Sequence, residues 1–209
     1  MKIEIEFDVS AYEAQADAVV ERVVGPALID AVNATARAAR IAAVTAMPAF
    51  IDRPTPFTLA GIGMLPASGN PDAPHGLEAL VSVMPIQAQY MQYQILGGTR
   101  GPGDYATTAE GPLVPGPDAR LDAYGNLPRD FVDDEVANGA VWVHLKLDEP
   151  PALVRHNPGG HTEILALIVH ELHYDRPPFP FYDIVANAAI AAFPAAFEAA
   201  LAARLPADG

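Results

Sequence analysis

The stretch that most restricts how this chain can fold is its end, Tyr174 to Leu205 (YDRPPFPFYDIVANAAIAAFPAAFEAALAARL). A proline-aromatic segment, Arg176 to Phe181, leads into a long apolar run. There Ile190, Phe193, Phe197, Leu201 and Leu205 recur at three- and four-residue steps. That spacing places them on one helical face, and alanine, the strongest helix former, fills most positions between. Asp183 is placed to cap the helix by accepting backbone N–H groups two or three residues on. Pro194 lacks an N–H and its ring crowds the carbonyl of Ile190, at about 3 kcal/mol in a straight helix. A kink or restart is therefore expected there. A helix apolar most of the way round needs cover on most sides, from its own fold or from other subunits.

The rest of the chain divides by pattern. Lys2 to Val9 alternates strictly and reads as an edge strand with one charged face. Ala11 to Met47 reads as helix, interrupted at Gly25-Pro26, with Pro26 in the first turn of the main segment and Pro48 as its end. Leu28, Val32, Ala36, Ala39 and Ala43 form its stripe, flanked by Ile29 and Val44, with Arg37 and Arg40 toward its C-terminal half, where positive charge suits the dipole. Arg53 to Leu59 (RPTPFTL) is extended, because residues before proline are driven from the helical region. Gly61 to Gly76 is expected as a loop, Leu77 to Met84 as a strand, and Gln87 to Leu96 as a short helix or an irregular segment closed by Gly97-Gly98.

From Thr99 to Asn138 periodicity is lost among recurrent glycines and prolines. A loop of that length is uncommon inside a compact domain and is usually functional or disordered. Arg100, Arg120 and Arg129, with Tyr105 and Tyr124, give it the composition of a docking arm. Ala140 to Leu147 is expected as a strand with Val141, Val143, Leu145 and Leu147 inward. A turn region follows at Pro150 to Gly160, then a strand at Thr162 to Tyr174 that is apolar on both faces and so central. These two strands are expected to pair antiparallel. The whole reads as one α+β domain: a small, mainly antiparallel sheet of about four strands, a long helix in the N-terminal half, a C-terminal helix, and a long loop or arm at about 99–138.

The chain has 209 residues, 26 acidic against 12 basic side chains, and a formal net charge of −14. That balance argues against a nucleic-acid-binding surface, which needs clustered Lys and Arg. It suits solubility, or a surface past which DNA moves without sticking. With no cysteine, disulfides and thiolate metal sites are unavailable. The N-terminus lacks a signal peptide's apolar core. No run reaches the roughly 18 to 20 apolar residues of a membrane span; Ile184 to Phe197 is too short and contains Pro194. Asn33-Ala-Thr35 matches a glycosylation sequon and is taken as chance.

Chemical signals are sparse. His170-Glu171-Leu172-His173 resembles a zinc-protease helix, but that motif needs histidines four apart on a helix. Here the spacing is three within a predicted strand, so the rings point to opposite faces. His144, His156 and His161 are further candidates to join them. Asp130, Asp133, Asp134 and Glu135 read as a solvated face rather than an acid–base pair. Gly97 to Gly103 lacks the Gly-Lys-Ser/Thr ending of a P-loop. The aromatics Phe57, Tyr90, Tyr93, Tyr124, Phe179, Phe181 and Tyr182 sit beside proline or glycine, which suits either loop anchors or an inter-subunit clasp.

Four segments, Arg53 to Leu59 (RPTPFTL), Tyr90 to Arg100 (YMQYQILGGTR), Pro117 to Arg129 (PGPDARLDAYGNLPR) and Arg176 to Val185 (RPPFPFYDIV), resemble minor tail proteins of tailed bacteriophages, in particular the tail-completion, protein Z-like group. More distantly the layout is similar to head–tail joining and tail-terminator proteins. The resemblance implies a structural protein of the virion neck or tail, assembled in the host cytoplasm. It would form a ring, commonly of six copies, between the head connector and the tail tube, with DNA passing through the lumen. It implies no enzymatic activity and no cofactor or metal. The expected interface residues are Arg100, Tyr105, Arg120, Tyr124, Arg129, Arg176, Phe179 and Phe181. The competing readings are a metal-dependent hydrolase using His170, Glu171 and His173, and a small-molecule or peptide-binding module.

Overall fold

The computed structural model describes residues 16–17, 19–69, 77–175 and 178–205. The expected strand at Lys2 to Val9 lies outside the described residues. The fold is α+β, with long helices and antiparallel sheets. The chain divides into two compact units. One comprises Met1–Thr45, Ile62–Ser82 and Phe181–Gly209; the other comprises Ala46–Gly61 and Val83–Pro180.

The first unit contains most of helix α1 (Gly25–Phe50), the paired strands β1 (Ile62–Leu65) and β2 (Leu80–Val83), and, at the end of the chain, a long apolar helix. A π turn, Val20–Val24, precedes α1, and Gly25 N–H bonds to the Val20 carbonyl. Helix α1 does not stop at Pro48 but runs on to Phe50. Its buried stripe is Ala27, Ala31, Thr35, Ala39 and Ala43, ending at Met47, at strict four-residue steps. Ala36 joins it, while the expected Leu28 and Val32 are half-buried. A stripe of alanines lets a neighbouring backbone come close. Asn33 clamps the segment after β1: its Oδ1 accepts Ala67 N–H at 2.8 Å and its Nδ2 donates to Ala67 O at 3.2 Å. Arg40 Nε donates to Ile62 O at 2.7 Å, so its charge serves a strand end. Strand β1 falls where only a loop was expected.

In the second unit, helices α2 (Pro56–Leu59) and α3 (Pro85–Ile95) precede strand β3 (Gly98–Arg100). Strand β4 (Leu113–Pro115) and helix α4 (Phe131–Ala137) fall within the region expected to be an unpatterned loop. They are followed by β5 (Val141–Val143), β6 (Ala152–His156), β7 (Thr162–Ile168) and β8 (Leu172–Tyr174). Strands β3 and β8 pair, and a four-stranded antiparallel sheet runs β4-β7-β6-β5. The expected pairing of 140–147 with 162–174 is therefore replaced. Strand β6, in the segment read as a turn, lies between them, and the long strand breaks after Ile168.

Strand β7 is internal, as its two apolar faces require. Ladder β6–β7 pairs Leu153 with Ala166 and Val154 with Ile164, leaving Leu165 as the extra residue of a bulge. The bulge breaks strict alternation, so the consecutive residues Leu165 and Ala166 are both buried, with Leu153, Phe131 and Ala140. Arg155 on β6 ties the layer together, pairing Nη2 with Glu163 at 2.6 Å and Nη1 with Glu135 of α4 at 2.5 Å. Within α4, Asp133 and Asp134 occupy the first turn, where negative charge meets the positive end of the helix dipole.

The chain ends in helix α5 (Phe181–Ala202), 22 residues long. It starts two residues before the expected cap, so Asp183 sits inside the first turn and complements the dipole there. The helix continues through Pro194. Pro194 and Ile190 are both exposed, so the carbonyl that Pro194 leaves unbonded can be hydrated. Phe193, Phe197 and Leu201 form a half-buried face, but Ile190 and Leu205 do not join it. The rings of Phe193 and Phe197 stack 5.8 Å apart. With Thr35, Ala39, Val81 and Val185, Phe193 lines a cavity of about 180 Å³. Arg204 Nη2 pairs with Asp30 of α1.

Two substitutions test this frame. A Cβ on Gly116 would collide with the Ile164 carbonyl, so Gly116→Ala is expected to lower unfolding free energy by about 3 kcal/mol. Gly159 faces open space, and Gly159→Ala should stay within about 0.5 kcal/mol in the same denaturant titration. The second test is acid dependence. The Arg155 hydrogen bond, and then that of Asn157, hold the Glu163 carboxyl below its ordinary range. Its stabilising contribution is therefore present above the unfolded carboxylate pKa, about 4.3, and is lost as pH falls through the depressed folded value. Glu163→Gln should flatten the loss of stability measured from about pH 5 downward.

Candidate subunit interface

Three of the four segments 53–59, 90–100, 117–129 and 176–185 meet around one shallow depression of about 120 Å³ in the second unit, lined by Arg53, Thr58, Tyr90, Gln94, Tyr124 and Asn126 among others. Pro54 and Pro56 set this corner up. Thr55 is extended, its Oγ1 accepts Thr58 N–H at 3.1 Å, and Pro56 opens α2 at a position needing no donor. Arg53 has φ +42°, in the left-handed region that side chains disfavour. Its guanidinium grips Asp52 with Nη2 at 2.8 Å and Nε at 3.1 Å. The Arg53 hydrogen bond draws the Asp52 carboxyl below its ordinary range.

The 122–126 turn closes against that guanidinium. Asp122 Oδ1 accepts Tyr124 N–H and Asn126 N–H at 2.8 and 2.9 Å. Gly125 has φ +80°, and a Cβ there would strike Arg53 Nη2. Tyr90 OH lies 3.1 Å from Thr58 Oγ1, and its ring stacks on Tyr105 at 6.1 Å. The fourth segment reaches the same helix: Phe179 N–H donates to Gln94 O at 3.0 Å, and its ring lies 6.1 Å from Phe50. Arg-Pro, Tyr-Gly-Asn and Pro-Phe motifs that are far apart in sequence are thus parts of one folded corner.

The expected interface residues divide into three groups. Arg100 is half-buried and braces its own loop, donating from Nη2 to Tyr105 O at 2.7 Å and Ala106 O at 3.0 Å. Close by, Asp104 accepts Gly101 N–H at 2.7 Å. Burial, and then the hydrogen bond to Asp104, push the Tyr93 phenol above its ordinary range. Phe179 and Phe181 are buried within the chain itself and act as anchors, not as projecting contacts. Tyr105, Arg120, Tyr124 and Arg129 are exposed. Among the described residues, Arg120 and Arg129 have no hydrogen-bond or ion-pair partner. Arg176 lies outside the described residues.

The histidine motif does not converge. His173 Nε2 lies 3.0 Å from Glu171 and its Nδ1 lies 3.1 Å from Thr99 Oγ1, while His170 faces the Asp148 carbonyl at 3.5 Å. Among the described residues, no three His, Cys, Asp or Glu side chains are grouped to hold a metal ion. His144 and His156 are likewise occupied locally, with Glu149 O and Thr162 Oγ1.

The surface that sequence reasoning missed is apolar. Strand β5 stops at Val143, so Leu145 and Leu147, expected inward, project outward, and Leu147 is 99% exposed. Alternation alone could not locate the end of the strand. The second apolar surface is on α5, the helix whose pattern called for cover. Only Phe181 of its residues is fully buried, and Ile190 is 73% exposed. It is long and apolar enough to cross a membrane by length and composition, contrary to the expectation from the shorter 184–197 run.

No protein-family model, no curated protein and no solved structure matches this chain.

The Arg53–Gly125 contact can be measured as a coupling. Gly125→Ala should destabilise the chain both through its positive φ and by displacing the guanidinium. In an Arg53→Ala background the second part vanishes, and a double-mutant cycle should return a coupling on the order of 1 kcal/mol.

Proposed function

We propose that the chain is a structural subunit that assembles with copies of itself into a ring, as a neck or tail component of a tailed-bacteriophage virion. One observation carries the reading: α5 presents a largely apolar helix with a single fully buried residue. A helix apolar most of the way round needs cover, and a subunit in a ring receives that cover from its neighbours. Its exposed side carries Ala186, Ala191, Ala195 and Ala199, small enough for another helix to approach closely. The phage assignment rests on the four family-like segments, and their convergence on one corner supports reading them as one unit.

A ring subunit needs no catalytic group and no cofactor. The charge of −14 fits a lumen through which DNA passes without adhering, since like charge repels the phosphate backbone. Adjoining connector and tail-tube proteins would seat on the ring's two faces.

The length and composition of α5 favour a second reading, insertion into a membrane. Against it, Asp183, Asn187 and Glu198 lie on the exposed side, where a carboxylate in hydrocarbon is costly.

Sedimentation velocity over a range of concentrations distinguishes these readings. The wild-type chain should form a discrete oligomer without lipid. Ala195→Arg, at an exposed position, should abolish that species while leaving helical content and unfolding free energy unchanged within about 0.5 kcal/mol. A wild type that stays a single chain and floats with lipid vesicles would favour the membrane reading.

A further inference from the structure

We infer that the 116–130 loop of one copy docks into a groove at the opposite end of the same sheet on the next copy; this rests on the ring reading above. The loop is preorganised. Its start is fixed to the beginning of β7, where Ile164 N–H donates to Asp118 Oδ2 at 2.8 Å and Asp118 N–H to Ile164 O at 3.1 Å. Ala119 and Leu127 pack on the core of the sheet, and Asp122 closes the tip. With these anchors made, Arg120, Leu121, Tyr124 and Arg129 are left exposed. Arginine and tyrosine are the residues enriched at interface centres.

The groove lies beyond the other end of β7. Two adjoining depressions, of about 370 and 430 Å³, share Glu149, Pro150 and His170. Their apolar walls include Leu145, Leu147 and Leu167, and their acidic rim includes Glu110 and Asp148. Glu149 is already paired with Lys146 at 2.7 Å. The Glu110 and Asp148 carboxylates have no ion-pair partner among the described residues. The occupant is assigned by complementarity. An apolar floor with free carboxylates fits an exposed Leu and Tyr flanked by free guanidinium groups. Two copies of a chain with charge −14 repel unless such cations meet acids, and among the described residues of this unit Arg53, Lys146 and Arg155 are already paired while Arg100 braces its own loop.

Position supports the same occupant. The loop's anchor at Ile164 and the groove's Leu167 and Ile168 are three to four residues apart along β7, about 10 to 13 Å at strand rise. No residue of the 116–130 loop lines the groove of its own chain. A contact between two different patches is head-to-tail, the type that closes into rings.

Charge exchange tests this. Chains carrying Arg120→Glu and Arg129→Glu, and separate chains carrying Glu110→Arg and Asp148→Arg, are studied by sedimentation and circular dichroism. Each alone should remain folded and associate at least about a hundredfold more weakly than wild type, because like charges then face each other. Mixed one to one, the two should regain the wild-type oligomer, since each loop then meets a groove of opposite charge. Assembly of either variant alone at wild-type affinity would overturn the docking while leaving the ring reading intact, as would association with no recovery on mixing. A wild type that never associates would overturn both.

Discussion

The β6–β7 ladder is the constraint on which the larger unit depends. It buries Leu153, Leu165 and Ala166 against Phe131, and its bulge aligns residues that strict alternation would send to opposite faces. Arg155 joins it to α4 through Glu135 and across the ladder to Glu163. Strand β4 is then added by backbone contact so close that Gly116 leaves no room for a side chain. The loop after β4 inherits its position from that contact, and its exposed residues are held on a rigid base.

The smaller unit follows a different economy. Its buried stripe is alanine with one threonine, so little apolar area per residue is removed from water. Its stability comes from close approach and from specific ties such as Asn33 to Ala67 and Arg204 to Asp30. The final helix leaves much of its apolar surface outward. An apolar surface of this kind in a charged, acidic chain calls for cover, and the proposed self-assembly would supply it.

Long-period signals were legible in the sequence; short-range breaks were not. Both long helices, the α+β class and the internal position of β7 follow from apolar periodicity. Strand β6 was hidden because Pro150-Pro151 and Gly159-Gly160 flank only five residues, Ala152–His156. The 99–138 region gave no period because its order comes from side chains capping turns, as at Asp104 and Asp122. Of the expected interface set, Arg120, Tyr124 and Arg129 are exposed. Phe179 and Phe181 are buried; the sequence left anchor and clasp open because a proline-aromatic run has the same composition whether it faces a neighbour or its own core. Arg53 stood in a quoted motif, yet nothing local marks its contact with Gly125, which lies 72 positions away.

Direct imaging of the purified chain by electron microscopy tests the central claim most sharply. Closed rings of identical subunits, with the C-terminal helix of each against its neighbour, are the expected result. Uniform particles the size of one chain, at concentrations where virion subunits assemble, would contradict it.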